Sequence, residues 1–77
     1  MELADFIDNF KDQFDFEGDG PDITGETQFK ELDDWDSLVA LSVLALADSK
    51  YHVSLKGSDI NECSTVQELF ELIKSKQ

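Results

Sequence analysis

From Ser37 to Lys50 the chain reads "SLVALSVLALADSK", without a glycine or proline and rich in leucine and alanine. Such residues lose little freedom in a helix, so the segment reads as helical despite its valines. Leu38, Leu41, Leu44 and Ala45 form a stripe at helical spacing, widened by Val43 and Ala47, and one face of this helix must therefore be buried. The mostly apolar part, Leu38 to Ala47, is far shorter than the roughly 20 residues that cross a bilayer. Its cover has to come from the rest of the chain. With 77 residues, 40% of them apolar, there is material for one modest core and none for a second domain, so residues 1–77 are expected to form a single domain.

The remaining elements are helices as well. Leu3, Phe6, Ile7, Phe10 and Phe14 share one face of a helix predicted from about Leu3 to Phe14, with Asp5, Asp8, Lys11 and Asp12 turned to water. "DFEGDGPDITGET" follows, with three glycines and the only proline among acids, and is expected to be a long loop without helix or strand. "TQFKELDD" has room for a short turn. "GSDINE" supports one short helical turn capped by Ser58, with Ile60 pointing inward. The last helix opens at "STVQEL", where Thr65 and Glu68 stand in capping-box register and Val66, Leu69, Phe70 and Ile73 repeat the apolar stripe. The β-branched residues are too scattered to build a sheet. The expected fold is all-α, a small bundle of three main helices, one short helix and a long first loop.

Charge narrows the partners. The net charge is −12, with no arginine. Residues 1 to 36 carry 13 acids and 2 lysines, and residues 37 to 77 carry 5 acids and 4 lysines, so nearly all of the excess precedes Ser37. Such a surface repels nucleic acid backbones and anionic lipid and attracts basic protein surfaces. No nucleic acid partner and no membrane insertion are expected, and self-repulsion favours a monomer. Cys63 is the single cysteine, and Glu2, Asp5 and Asp8 break up any apolar leader, so a reducing cytoplasmic setting is expected.

Few residues offer chemistry. His52 is the sole histidine, has no serine or cysteine at a recognisable motif spacing, and falls where the second main helix should end; it reads as structural or exposed. Cys63 has no CxxC partner and reads as a small half-buried side chain. The carboxylates lie on solvated faces and in the loop, away from any apolar pocket that would raise a pKa for acid catalysis. An enzyme is not indicated. Asp15, Glu17, Asp19, Gly20 and Glu26 fall at positions 1, 3, 5, 6 and 12 of a calcium loop. Against a metal site, the eighth position holds Asp22, with the apolar Ile23 one residue late, and no long helix follows.

Asp36-Ser37-Leu38 by itself announces a helix start, with Asp or Ser capping the first free N–H groups. Its setting adds more: an amphipathic first helix, a long loop, Phe29 ahead of the acids, "DSL" opening the second helix, "YHVSL" ending it and "TVQEL" opening the last. Over essentially its whole length the chain resembles the acyl carrier proteins and their relatives the peptidyl carrier domains. The resemblance implies an acyl-carrier-like helical bundle in which Ser37 carries 4'-phosphopantetheine, whose thiol holds an acyl or aminoacyl group as a thioester. It also implies a phosphopantetheinyl transferase as partner, and acyl-loading and condensing enzymes with basic docking surfaces, met by Asp36, Leu38, Val39, Ala45 and Asp48. Fatty-acid carriers usually place several acids along the second helix. Here Val39 and Ser42 stand at such places, and Asp48-Ser49-Lys50 replaces an acidic run, so the docking face turns apolar and resembles that of a specialised or peptide-type pathway. An unmodified acidic interaction module and a calcium-binding module are the other classes that the residues allow.

Overall fold

The phenylalanine spacing at the start of the chain does set a helix. In the structure, a computed structural model that describes residues 2–14 and 22–77, α1 spans Leu3–Lys11, with Phe6 and Phe10 fully buried. It ends earlier than the expected Phe14. Turn hydrogen bonds from the N–H groups of Gln13 and Phe14 to the carbonyls of Phe10 and Lys11, both 3.1 Å, still carry Phe14 into the core. A 3₁₀ turn, Phe29–Glu31, precedes α2 (Ser37–Tyr51), which is followed by the short α3 (Gly57–Glu62) and by α4 (Val66–Lys76). Among the described residues there is no strand. The architecture is the expected all-α one, with α1 packed on α2 and α4, and α2 on α3.

Aromatic rings knit these helices together. Phe6 lies 5.7 Å from Phe70 of α4 and 5.9 Å from Tyr51 at the end of α2, so one side chain of α1 reaches both neighbours. The Tyr51 hydroxyl stays satisfied, accepting from the Asn9 side-chain amide at 2.9 Å. Val43, Val53, Ile60, Val66, Leu69 and Ile73 complete a continuous apolar core, and full burial of each such side chain is worth about 1.5–3 kcal/mol. α2 ends on His52, whose backbone is left-handed (φ 56°, ψ 38°); its N–H and that of Val53 turn back to the carbonyls of Asp48 and Ala47 at 3.2 and 3.0 Å. His52 is thus an exposed helix stop, in keeping with its position in the sequence.

The rotation of α2 departs from the expected stripe. Its buried residues are Val43, Leu46 and Ala47, with Val39 and Leu44 half-buried against the core, whereas Leu38 and Leu41 are 73% and 60% exposed and Ala45 is exposed. Leucine, valine and alanine surround this helix on nearly every side, so apolar periodicity alone did not single out one face, and packing against α1 and α3 chose another. The start of α3 also differs: Lys56 occupies the cap position, and the Asp59 carboxylate accepts its N–H at 2.9 Å, while Ser58 lies exposed within the helix. Ile60 is buried, as its spacing required.

α4 has the Thr65/Glu68 capping box, with the Thr65 hydroxyl accepting from the Glu68 N–H and the Glu68 carboxylate accepting from the Thr65 N–H. Two further N–H groups of its first turn are met by the long connection. Val66 donates to the Thr27 carbonyl at 3.0 Å and Gln67 to the Gly25 carbonyl at 2.8 Å. The approach is close: a Cβ on Gly25 would stand 2.9 Å from Gln67 Oε1 and 3.2 Å from Leu3 Cδ2, and these side-chain ends would have to shift to admit it. Nearby, Lys30 Nζ donates to the Asn61 carbonyl at 2.7 Å and fastens the 3₁₀ turn to α3.

Candidate functional site at the head of the second helix

The approach to α2 is a string of tight turns. Glu31 N–H donates to the Gln28 carbonyl, Leu32 to Phe29 and Trp35 to Leu32, at 3.0, 3.2 and 3.0 Å. Asp36 then extends (φ −151°, ψ −175°), and its carboxylate accepts the Val39 N–H at 2.9 Å while its carbonyl accepts from Ala40 at 3.0 Å. This is the N-cap geometry that Asp favours. With Val39 and Ala40 so engaged, the N–H groups of Ser37 and Leu38 are those that the helix opening presents to solvent.

Ser37 is exposed on the first turn, with exposed Asp36 and Leu38 on either side. A phosphodiester on its hydroxyl would stand beside those N–H groups and the positive end of the helix dipole. The residues present therefore fit such an anionic ester. Glu31, Asp33, Asp34 and Asp36, all exposed, surround this end with negative charge that draws in a basic surface.

The sequence-predicted contact residues do not all share this face. Leu38 and Ala45 lie exposed on one side of α2, and Asp48 is exposed about three turns from Ser37, roughly 16 Å along the helix. Val39 packs against the core and is only half-exposed. Leu41, assigned from sequence to the buried stripe, is instead the second large exposed apolar side chain, four residues after Ser37 and so on its face. That spacing was the signal available in the sequence. Trp35 is half-buried among phenylalanine rings, with Phe29 at 4.9 Å and Phe10 at 6.4 Å.

The other candidates lie apart. Cys63 is a buried free thiol after α3, more enclosed than its half-buried expectation; burial pushes its pKa up and the Glu68 carboxylate adds to this, against the Lys30 ammonium. Of the calcium-loop residues, Asp15, Glu17, Asp19 and Gly20 lie outside the described residues, and Glu26 is exposed. Ile23, the apolar residue one place late for that motif, is buried in the core. Among the described residues no group of three or more His, Cys, Asp or Glu side chains is gathered for a metal, and no helix is long and apolar enough to cross a membrane.

The family model described as a phosphopantetheine attachment site matches residues 6–73, from α1 through most of α4. The chain belongs to that family of carrier domains, the group to which acyl carrier proteins belong, whose prosthetic group is 4'-phosphopantetheine and whose members are not themselves catalysts. No curated protein and no solved structure matches the chain.

Proposed function

We propose that Ser37 is the attachment point of 4'-phosphopantetheine, and that residues 1–77 work as one carrier domain, monomeric and cytoplasmic. It would hold acyl or aminoacyl intermediates as thioesters and pass them between enzymes of fatty-acid, polyketide or related biosynthesis. The observation that carries this reading is the exposed Ser37 on the first turn of α2, inside the matched region. The arm, once attached, supplies the thiol that takes the acyl group.

Attachment requires the Ser37 oxygen to attack the pantetheine-bearing phosphorus of coenzyme A. One P–O bond forms to serine, the pyrophosphate P–O bond breaks, and adenosine 3',5'-bisphosphate leaves with the electron pair. The serine proton passes to a base of the transferase, which also holds the metal. Ser37 therefore needs no basic neighbour of its own. Asp36 keeps the first turn closed and leaves the Ser37 and Leu38 N–H groups facing the new phosphodiester.

Docking enzymes would meet the acids around Asp36 first and then the strip Leu38, Leu41 and Ala45, with Asp48 at its far end. Val39 contributes less, because it turns toward the core. Charge at the head speeds encounter, and the apolar strip supplies contact area. That division favours a specialised or peptide-type pathway over housekeeping lipid synthesis. The test is to incubate the chain with coenzyme A, magnesium and a broad-specificity transferase and weigh the intact protein. Wild type gains one phosphopantetheine group and Ser37→Ala gains none; no gain with any of several transferases overturns the reading.

A further inference from the structure

We propose that Trp35 is a positioning residue for the modification of Ser37, a role that rests on the carrier reading above. From Asp33 to Leu38 every side chain is exposed except that of Trp35. Its ring meets Phe29 edge-on at 4.9 Å and 67°, lies nearly parallel to Phe10 at 6.4 Å and 18°, and stands 6.1 Å from Phe14. All three phenylalanines belong to the core. Aromatic contacts of this kind add about 0.5–1.5 kcal/mol each beyond the area they bury. Trp35 is therefore the one side chain of residues 33–36 that packs against the core.

A single residue, Asp36, separates that anchor from Ser37, and its bonds to Val39 and Ala40 stay within α2 itself. They close the first turn without fixing the incoming chain. The direction from which the chain enters α2 is set instead by the Trp35 ring and by its N–H bond to the Leu32 carbonyl at 3.0 Å. Loss of the ring leaves residues 33–36 with no side chain in the core, and the opening turn of α2 frays. The Ser37 oxygen then occupies a spread of positions in place of one. In-line attack at phosphorus is sensitive to that spread, whereas Leu41 and Ala45, further along α2, are untouched.

Transferase kinetics on Trp35→Ala, Trp35→Phe and wild type, at saturating coenzyme A and well below each melting temperature, test this assignment. Trp35→Ala is expected to lose about tenfold or more in kcat/KM, mainly in kcat, while helix content is retained. Trp35→Phe keeps a ring against Phe10 and Phe29 and should stay within about threefold of wild type. Amide exchange at Val39 and Ala40, whose N–H groups are held by Asp36, should quicken in Trp35→Ala but not at Leu69 in α4. A merely structural role would lower the melting temperature and leave kcat unchanged in the folded protein. Equal rates for folded Trp35→Ala and wild type, or a Trp35→Phe as slow as Trp35→Ala, overturn the assignment. Should Trp35→Ala not fold, Trp35→Leu is used with the same outcomes. A wild type that takes up no arm removes the carrier reading itself, whereas a wild type modified no faster than the variants removes only the role of Trp35.

Discussion

Asp36 does two separable things, and replacing it in two ways pulls them apart. Its carboxylate accepts the Val39 N–H at 2.9 Å, and it adds a negative charge to the acids at the head of α2. Asp36→Ala removes both. An N-cap lost to alanine costs about 0.5–2 kcal/mol, and at this exposed site, where water reaches the freed amide, about 1 kcal/mol is expected. For a domain of this size that corresponds to a fall of about 4–8 °C in melting temperature. Asp36→Asn keeps the cap, since asparagine ranks with aspartate there, and gives up only the charge–dipole attraction, about 0.3–1 kcal/mol. Relief of repulsion from Asp33 and Asp34 offsets part of that loss. Thermal melts followed by circular dichroism should therefore place Asp36→Asn close to wild type and Asp36→Ala clearly below. Transferase kinetics on the same proteins complete the test: a charge that guides the transferase makes Asp36→Asn slow although stable. An Asp36→Ala that melts with wild type, or an Asp36→Asn that falls as far as Asp36→Ala, refutes the capping argument.

Leu41→Ser should leave the melting temperature nearly unchanged, because the side chain is 60% exposed, yet raise the KM of partner enzymes for the loaded carrier; a lowered melting temperature with unchanged KM would count against a docking role. Cys63 should react slowly with iodoacetamide in the native protein and quickly in denaturant, since the thiol is buried and its pKa is raised. The raised pKa favours the protonated thiol in the fold, so its stabilising contribution is complete below the unfolded thiol pKa of about 8.5 and declines as pH rises above it. Cys63→Ala should flatten the alkaline part of a stability–pH curve, and an unaltered slope would contradict this. Because the chain carries −12, added salt should raise its melting temperature by screening self-repulsion, and a flat salt series would speak against that.

How much of this was legible in the sequence depended on contrast between faces. α1 alternates phenylalanine with acids, so its buried side was plain from Phe6 and Phe10, and the Thr65/Glu68 pair marked the start of α4 to the residue. α2 offers no such contrast. Leucine and alanine occur on nearly every side, and only packing against α1 and α3 decides that Val43 and Ala47 go inward while Leu41 stays out. The head of α2 was legible because Asp36 acts through its own helix, at a separation of three residues. Trp35 stands among acids in the sequence, and only the distances to Phe10 and Phe29 place it in the core contacts. The start of α3 was misassigned to Ser58 because side-chain type alone favoured serine, whereas Asp59 reaching back to the Lys56 backbone does the same job from inside the helix.

The carbonyls of Gly25 and Thr27, handed to Gln67 and Val66, make the opening of the final helix a composite of two stretches of chain some forty positions apart. A peptide of residues 64–77 alone would keep its Thr65 cap but would have to find water for two donors that the whole protein supplies with oxygens from elsewhere. Substitutions near Gly25 are thus expected to register at the far terminus of the molecule, and tinkering with the length of chain just ahead of Phe29 is not the harmless change that its place outside any helix would imply.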